Sequence, residues 1–193
     1  MRKRFGGCLV AVFVAFVMAG QARAADDYTI DPVHSGVYFK IQHVGLSNVF
    51  GHFNEFSGTF TVDPNDSSKC SFAMSIKTTS VDTNNAARDK HLRSPDFFND
   101  KQFPTIDFKS TAVKRIKDGY EVTGNLSMHG ETKPITFTLT GGKTAEFPKG
   151  VTRTGYTTEL MLRRTDFGVG ANIPPATLGE EVHIAIGIEG TKK

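Results

Sequence analysis

Residues 37–43 read Val-Tyr-Phe-Lys-Ile-Gln-His, an alternation of apolar and polar side chains that indicates the fold class. Successive side chains of a β-strand point to opposite faces, so this stretch predicts a strand whose apolar face carries Val37, Phe39 and Ile41. His43 continues the apolar parity, and two interpretations of it stay open. It is either a buried, neutral histidine satisfied by hydrogen bonds or a polar group at a cavity mouth that fixes the head of an amphiphile.

The same period of two recurs along the chain, separated by turn signals at residues 63–66, 117–119, 129–130, 141–142 and 148–150. The inward positions that it predicts are Phe56, Gly58, Phe60, Val62, Cys70, Phe72, Met74, Ile76, Ile106, Phe108, Tyr120, Val122, Leu126, Met128, Ile135, Phe137, Leu139, Tyr156, Leu160, Leu162, Val182, Ile184, Ile186 and Ile188. The pattern predicts an all-β meander of about eight antiparallel strands, which forms either a sandwich or a closed barrel.

One stretch departs from the alternation. Residues 83–92 place helix formers behind a capping candidate, which predicts a short helical insertion near residues 83–93. A long excursion between tight hairpins is typical of a lid or an edge cover, and such loops often carry function. Phe97 and Phe98 follow in a polar loop.

The N-terminal residues have the pattern of a targeting signal. Basic residues 2–4 precede an apolar run from Cys8 to Ala19, and Ala22-Arg23-Ala24 is a small-x-small cleavage site. The run is too short for the roughly 20 residues of a membrane span. These features predict a secretory signal peptide over residues 1–24, cleaved after Ala24, and a periplasmic mature domain over residues 25–193.

Length, charge and cysteine content narrow the class of protein. The 193 residues are enough for one domain, and the formal net charge is +3. Four of the basic residues and no acidic residue belong to the predicted signal, so the mature chain carries about −1, which removes the electrostatic argument for binding nucleic acid. Cys70 is then the one remaining cysteine, so no intrachain disulfide is expected, and its parity predicts a buried thiol.

Sequence signals for catalysis are weak. The six histidines lack metal-ligand spacing, and we find neither a nucleophile elbow nor a phosphate-binding glycine loop, so we expect no metal site and no enzyme activity. The alternative is a hydrolase or isomerase that acts on a bound amphiphile through His43, His91 and Asp89 as acid–base groups. A third interpretation is a stress or adhesion protein whose barrel is a filled scaffold.

A series of short motifs follows the order and spacing of a known family. The motifs are Tyr28-x-Ile30-Asp31-Pro32-x-His34-Ser35, Phe39-x-Ile41-x-His43, Gly51-x-Phe53, Arg88-Asp89-x-His91-Leu92-Arg93-Ser94 with Phe97-Phe98, Phe103-Pro104-x-Ile106-x-Phe108, Gly124-x-Leu126 and Arg164-x-Asp166-Phe167-Gly168. On these motifs the chain resembles the YceI family of exported lipocalin-like proteins over nearly all of its mature length. Asn125, Ser127 and the Met128-His129 pair depart mildly from the family pattern.

The resemblance implies an eight-stranded antiparallel up-and-down barrel around an elongated apolar cavity. It implies a non-enzymatic protein without a cofactor of its own, which binds a polyisoprenoid lipid such as a quinone, a prenyl phenol or a related amphiphile. It also implies a homodimer and a membrane b-type cytochrome as partner. The residues expected to contact the lipid are Phe39, Ile41, His43, Phe53, Phe60, Phe72, Met74, Ile76, Arg88, Asp89, His91, Leu92, Phe97, Phe98, Phe108, Leu126 and Phe137.

Overall fold

The computed structural model describes residues 25–193, so the predicted signal peptide lies outside the described residues. The strands are β1 Asp26–Ile30, β2 Gly36–His43, β3 Ser47–Phe53, β4 Phe56–Val62, β5 Ser71–Lys77, β6 Val81–Asp82, β7 Thr105–Ile116, β8 Gly119–Met128, β9 Glu131–Glu146, β10 Thr152–Arg163 and β11 Leu178–Lys192. One α-helix, α1, spans Ala86–Leu92. Within the described part of the chain, no helix is long and apolar enough to cross a membrane.

The eleven strands close into an eight-stranded antiparallel barrel because three pairs of strands act as single, interrupted strands. Both β1 and β2 pair with β11, with Ile30 opposite Gly190 and Gly36 opposite Gly187. In the same way β4 pairs with β1 while β3 pairs with β2, and β5 pairs with β4 while β6 pairs with β3. β5 also pairs with β7, and from β7 to β11 each strand pairs with the next in sequence. The predicted meander is confirmed, and of the two open architectures the barrel is the one formed.

The prediction of a turn at Gly141 and Gly142 is wrong, because both residues lie inside β9. The pairing with β10 shifts there from Thr154 opposite Thr144 to Tyr156 opposite Gly141, which is a β-bulge. Gly141 has φ 132° and Gly142 has φ 93°, values that glycine adopts without steric cost. The glycines therefore bend a long strand instead of ending it.

The helix lies within the stretch predicted from sequence. Asn85 precedes it with extended backbone, and its side-chain oxygen accepts a hydrogen bond from the Arg88 amide at 3.0 Å. This N-cap satisfies one of the free amides of the first turn. The helix follows β6 in the chain and contacts it, and β6 pairs with β3. The helix therefore lies beside the part of the barrel wall that β3 and β6 form.

A cluster of charged groups holds the break between β1 and β2. Arg153 Nη1 lies 2.6 Å from both Asp31 Oδ2 and Glu189 Oε1, and His34 Nδ1 lies 2.8 Å from Asp31 Oδ2. Hydrogen bonds from His34 and then Arg153 hold the pKa of the Asp31 carboxyl far below its usual range. Asp31, His34 and Glu189 have the spacing of metal ligands. Because the Arg153 guanidinium already bonds to both carboxylates, we assign this cluster to barrel closure.

Candidate functional site: the barrel cavity

One end of the barrel is closed by packed aromatic rings. Tyr28, Phe60, Phe72, Tyr120 and Tyr156 are each at most 5% exposed, and Phe60 lies 5.0 to 5.8 Å from the rings of Tyr28, Phe72 and Tyr156. Burial raises the pKa of both the Tyr120 and the Tyr156 hydroxyl, so both phenols stay neutral at physiological pH. We call this group the aromatic base. It fills this end of the barrel.

The barrel above the aromatic base encloses a cavity of about 450 Å³ with mostly apolar walls. This volume lies in the range of ligand-binding pockets. All of the residues that the sequence analysis expected to contact a lipid line this cavity except Asp89. Contact of these residues with a ligand stays a prediction.

The cavity stays open partly because phenylalanine rings lie flat against glycines of neighbouring strands. The Phe39 ring covers Gly51, its cross-strand partner, so closely that a Cβ on Gly51 would lie 2.4 Å from Phe39 Cζ. The Phe108 ring covers Gly124 in the same way, and a Cβ on Gly124 would lie 2.4 Å from Phe108 Cζ. Each ring thereby lies along the wall and leaves the barrel centre free.

The opposite end of the barrel is the mouth of the cavity. His43, Arg88, His91 and Thr177 line the cavity there and are solvent-exposed, whereas the aromatic base is buried. Three segments surround the mouth, namely the β2–β3 turn, α1 with the loop that follows it, and residues 164–177. Backbone hydrogen bonds link them, from the Val44 amide to the Thr177 carbonyl at 2.9 Å and from the Gly170 amide to the Asp96 carbonyl at 3.0 Å.

Arg164 organises residues 164–177 from inside. The residue is 3% exposed and lines the cavity. Its guanidinium donates hydrogen bonds to the backbone carbonyls of Val169, Gly170, Ile173, Leu178 and Gly179. All five N–H groups therefore have partners, and burial lowers the pKa of Arg164 below its ordinary value. This side chain fixes the loop over the mouth and was not recognised from sequence as a cavity residue.

Asp89, which was expected to contact the lipid, does not line the cavity. Its buried carboxylate Oδ1 accepts hydrogen bonds from the Thr83 amide at 2.9 Å and from the Thr83 hydroxyl at 2.5 Å. Arg88 Nε also donates to the Thr83 hydroxyl, at 2.7 Å. Because a carboxylate needs such donors when it leaves water, Asp89 points back to the chain before α1 and anchors the helix.

The two histidines at the mouth are exposed, which decides the interpretation of His43. A buried His43 is wrong, because the residue lies at the end of β2, where the barrel opens to water. His91 contacts Asp96 at 3.3 Å and packs edge-on against the Phe97 ring at 4.9 Å. The Asp89 carboxylate is hydrogen-bonded to Thr83 and does not line the cavity, so His43, His91 and Asp89 do not form an acid–base group in this structure.

Many residues of the cavity wall were predicted to face inward but were not included among the residues expected to contact the lipid. Inward residues of β10 and β11 form an aliphatic wall: Leu160, Leu162, Val182, Ile184, Ile186 and Ile188. Because alternation had already predicted that these side chains face inward, assigning every inward residue to the cavity wall would have included them. Val169 and Ile173 at the mouth carry no periodic signal, because they lie in an irregular loop.

Structural comparison shows the same barrel in other proteins. BcnA of Burkholderia cenocepacia superposes with a TM-score of 0.76 at 23% identity, covering 83% of this chain and 98% of BcnA. The YceI protein of Campylobacter jejuni superposes with a TM-score of 0.71 at 29% identity, covering 79% of this chain and 90% of that chain.

Sequence comparison extends the likeness along nearly the whole chain. A UPF0312 protein of Pseudomonas aeruginosa is 41% identical over 186 residues, covering 95% of this chain and 96% of that protein. Protein YceI of Escherichia coli is 38% identical over 183 residues, covering 94% of this chain and 95% of that protein. The model of the YceI-like domain matches residues 28–190, and the chain therefore belongs to the YceI family.

Proposed function

We propose that this protein is an exported lipid carrier or store that holds a polyisoprenoid, or a similar long-chain amphiphile, in its barrel cavity. The observation that carries the proposal is the apolar cavity of about 450 Å³, which is closed at one end by the aromatic base and reaches water at the other. A cavity with one open end suits a molecule that is long and narrow.

The energetics favour such a ligand. Each buried methylene contributes about 0.8 kcal/mol, so one isoprene unit contributes on the order of 3 to 4 kcal/mol before the cost of ordering the chain. A few units are sufficient for tight binding without any charged contact. Selectivity would then depend on chain length and on the few polar groups in the cavity.

A structural neighbour supports the chemical class. A polyisoprenoid-binding domain from Saccharophagus degradans has the same fold, with a TM-score of 0.64 at 14% identity, and covers 86% of this chain and 98% of that domain. We extend that ligand class to this chain and include quinones, prenyl phenols and fatty amides. A membrane b-type cytochrome as partner and a homodimeric assembly are further parts of the proposal, and both follow from the family resemblance.

Native mass spectrometry of the mature protein, exported by a host that makes isoprenoid quinones, tests the proposal. We expect a stoichiometric extra mass that solvent extraction recovers as a prenyl lipid or a long-chain amide. A bare polypeptide mass that persists after incubation with such lipids would contradict it. Comparison of the polypeptide mass with that of residues 25–193 tests cleavage after Ala24 in the same spectrum.

A further inference from the structure

One polar group lies deep in the cavity wall without a partner. Among the buried side-chain nitrogen and oxygen atoms of residues 25–193, the Thr158 hydroxyl is the one that lacks a hydrogen bond. Thr158 is 6% exposed and lines the cavity. A buried hydroxyl that leaves water without gaining a partner destabilises the fold, so its presence in an apolar wall requires an explanation.

The position of Thr158 along the barrel separates it from the polar mouth. It lies two residues after Tyr156 of the aromatic base and four residues before Leu162 on the inward face of β10, and Arg164 follows the end of the strand. At about 3.3 Å per residue along the strand, it lies roughly 7 Å from Tyr156 and roughly 13 Å from Leu162, the last inward residue of β10 before the mouth. Its neighbours on the same face are Tyr156 and Leu160 along the strand and Ile186 across the strand pair. Leu160 and Ile186 are apolar, and the Tyr156 hydroxyl lies over Gly142 of β9.

Water is a poor partner for this hydroxyl. A buried water is held by about two to four hydrogen bonds, and here Thr158 contributes one among aliphatic and aromatic walls. A charged ligand group is excluded as well, because moving an ion into such surroundings without a counter-ion is strongly unfavourable. The remaining partner is an uncharged oxygen of the ligand.

We propose that Thr158 is the deep hydrogen-bonding site of the cavity and receives a neutral carbonyl or hydroxyl oxygen at the inner end of the bound amphiphile. The ligand then enters with its neutral polar end first, and its hydrocarbon chain extends from Thr158 toward the mouth. A prenyl ketone, quinone or phenol satisfies the site, and a prenyl phosphate does not. This inference rests on the proposed function and specifies the ligand's chemistry and orientation.

Thr158→Val tests the site because valine keeps the shape and removes the hydroxyl. The probes are farnesylacetone, which carries one carbonyl, and a terpene hydrocarbon of the same chain length. We expect the variant to bind farnesylacetone about tenfold more weakly and the hydrocarbon at least as tightly as the original protein, because the ketone oxygen loses its partner. The unliganded variant should melt no lower than the original, which confirms that it folds.

The matched control is Thr157→Val, since Thr157 is the exposed neighbour on the outer face of β10. It should leave both affinities unchanged. The infrared carbonyl stretch of bound farnesylacetone should lie at lower frequency in the original protein than in Thr158→Val. Unchanged ketone affinity, or equal weakening for both probes, would overturn the inference and leave the proposed function standing. Failure of the original protein to bind either probe would overturn both.

Discussion

At the residue scale, Gly51 determines how much space Phe39 leaves in the cavity. A Cβ at position 51 would meet the Phe39 ring at 2.4 Å and the Thr83 methyl at 2.8 Å, both of which are side-chain atoms that move more easily than backbone. We therefore expect Gly51→Ala to push the Phe39 ring into the cavity. The variant should lose about 1 to 3 kcal/mol of unfolding free energy through overpacking. Its affinity for a fluorescent long-chain probe should fall about tenfold.

Gly187→Ala is the control for that experiment. Gly187 lies on β11, and the nearest atom to its added Cβ is a Thr157 methyl at 3.9 Å, an ordinary contact. Urea denaturation and probe titration of both variants separate stability from binding. If Gly51→Ala binds the probe as tightly as Gly187→Ala does, the flat Phe39 ring is not what keeps this part of the cavity open.

Sequence reasoning works for residues whose role follows from strand parity. Phe60, Phe72 and Phe108 were expected to face inward from alternation alone, and all three line the cavity. Parity gives no information about Asp89 and Arg164, because their directions depend on which backbone groups tertiary folding brings near. Whether an inward phenylalanine ring fills the barrel or lies along its wall likewise depends on the size of its cross-strand neighbour. The Phe39 ring can lie along the wall because its neighbour, Gly51, has no side chain.

At the scale of elements, α1 depends on the bond between Asp89 and Thr83. Asp89→Ala removes the acceptor of two hydrogen bonds from a buried site. We expect this to cost about 2 kcal/mol of unfolding free energy and to loosen the helix beside the mouth. Dissociation of a bound long-chain probe should become several times faster, while the aromatic base stays unchanged. Stopped-flow dissociation and urea denaturation measure the two effects.

Asp96→Ala is the comparison variant, since Asp96 is exposed and contacts the exposed His91 at 3.3 Å. An exposed pair of this kind contributes little to stability. Its dissociation rate should stay near that of the original protein. Equal acceleration in both variants would point to the charge of the mouth and away from the anchoring of α1.

The element boundaries show where local signals are sufficient. Eight of the strands and the position of α1 followed from periodicity and capping, both of which are local, whereas β1, β3 and β6 carried no alternation that predicted them. The three interruptions that turn eleven strands into eight, and the bulge at Gly141, depend on pairing with distant strands. A glycine pair between apolar stretches is equally compatible with a turn and with a bulge until its cross-strand partner is known.

At the scale of the whole molecule, Arg153 ties the β1–β2 break to β10 and β11 and so helps to close the barrel. The pKa of Asp31 is lowered in the folded state from an ordinary value of 3.8. This ion pairing therefore stabilises the fold above about pH 4 and is lost progressively as the pH falls toward the lowered value. We expect Arg153→Met to melt a few degrees lower at neutral pH, with a difference that narrows below about pH 4. A difference that is independent of pH would assign the loss to packing.

The cavity's size sets a limit on the chain length that the molecule can bury. An apolar cavity of about 150 Å³ binds benzene, so a cavity of about 450 Å³ holds on the order of twenty carbon atoms, or about four isoprene units. Because the aromatic base closes one end, longer chains must extend past the mouth into water. In titrations of prenyl alcohols of increasing length, we expect affinity to rise at least tenfold per unit up to about four units and then to level off. A rise that continues undiminished well beyond that length would mean that the lipid opens the aromatic base or finds a second apolar surface outside the mouth.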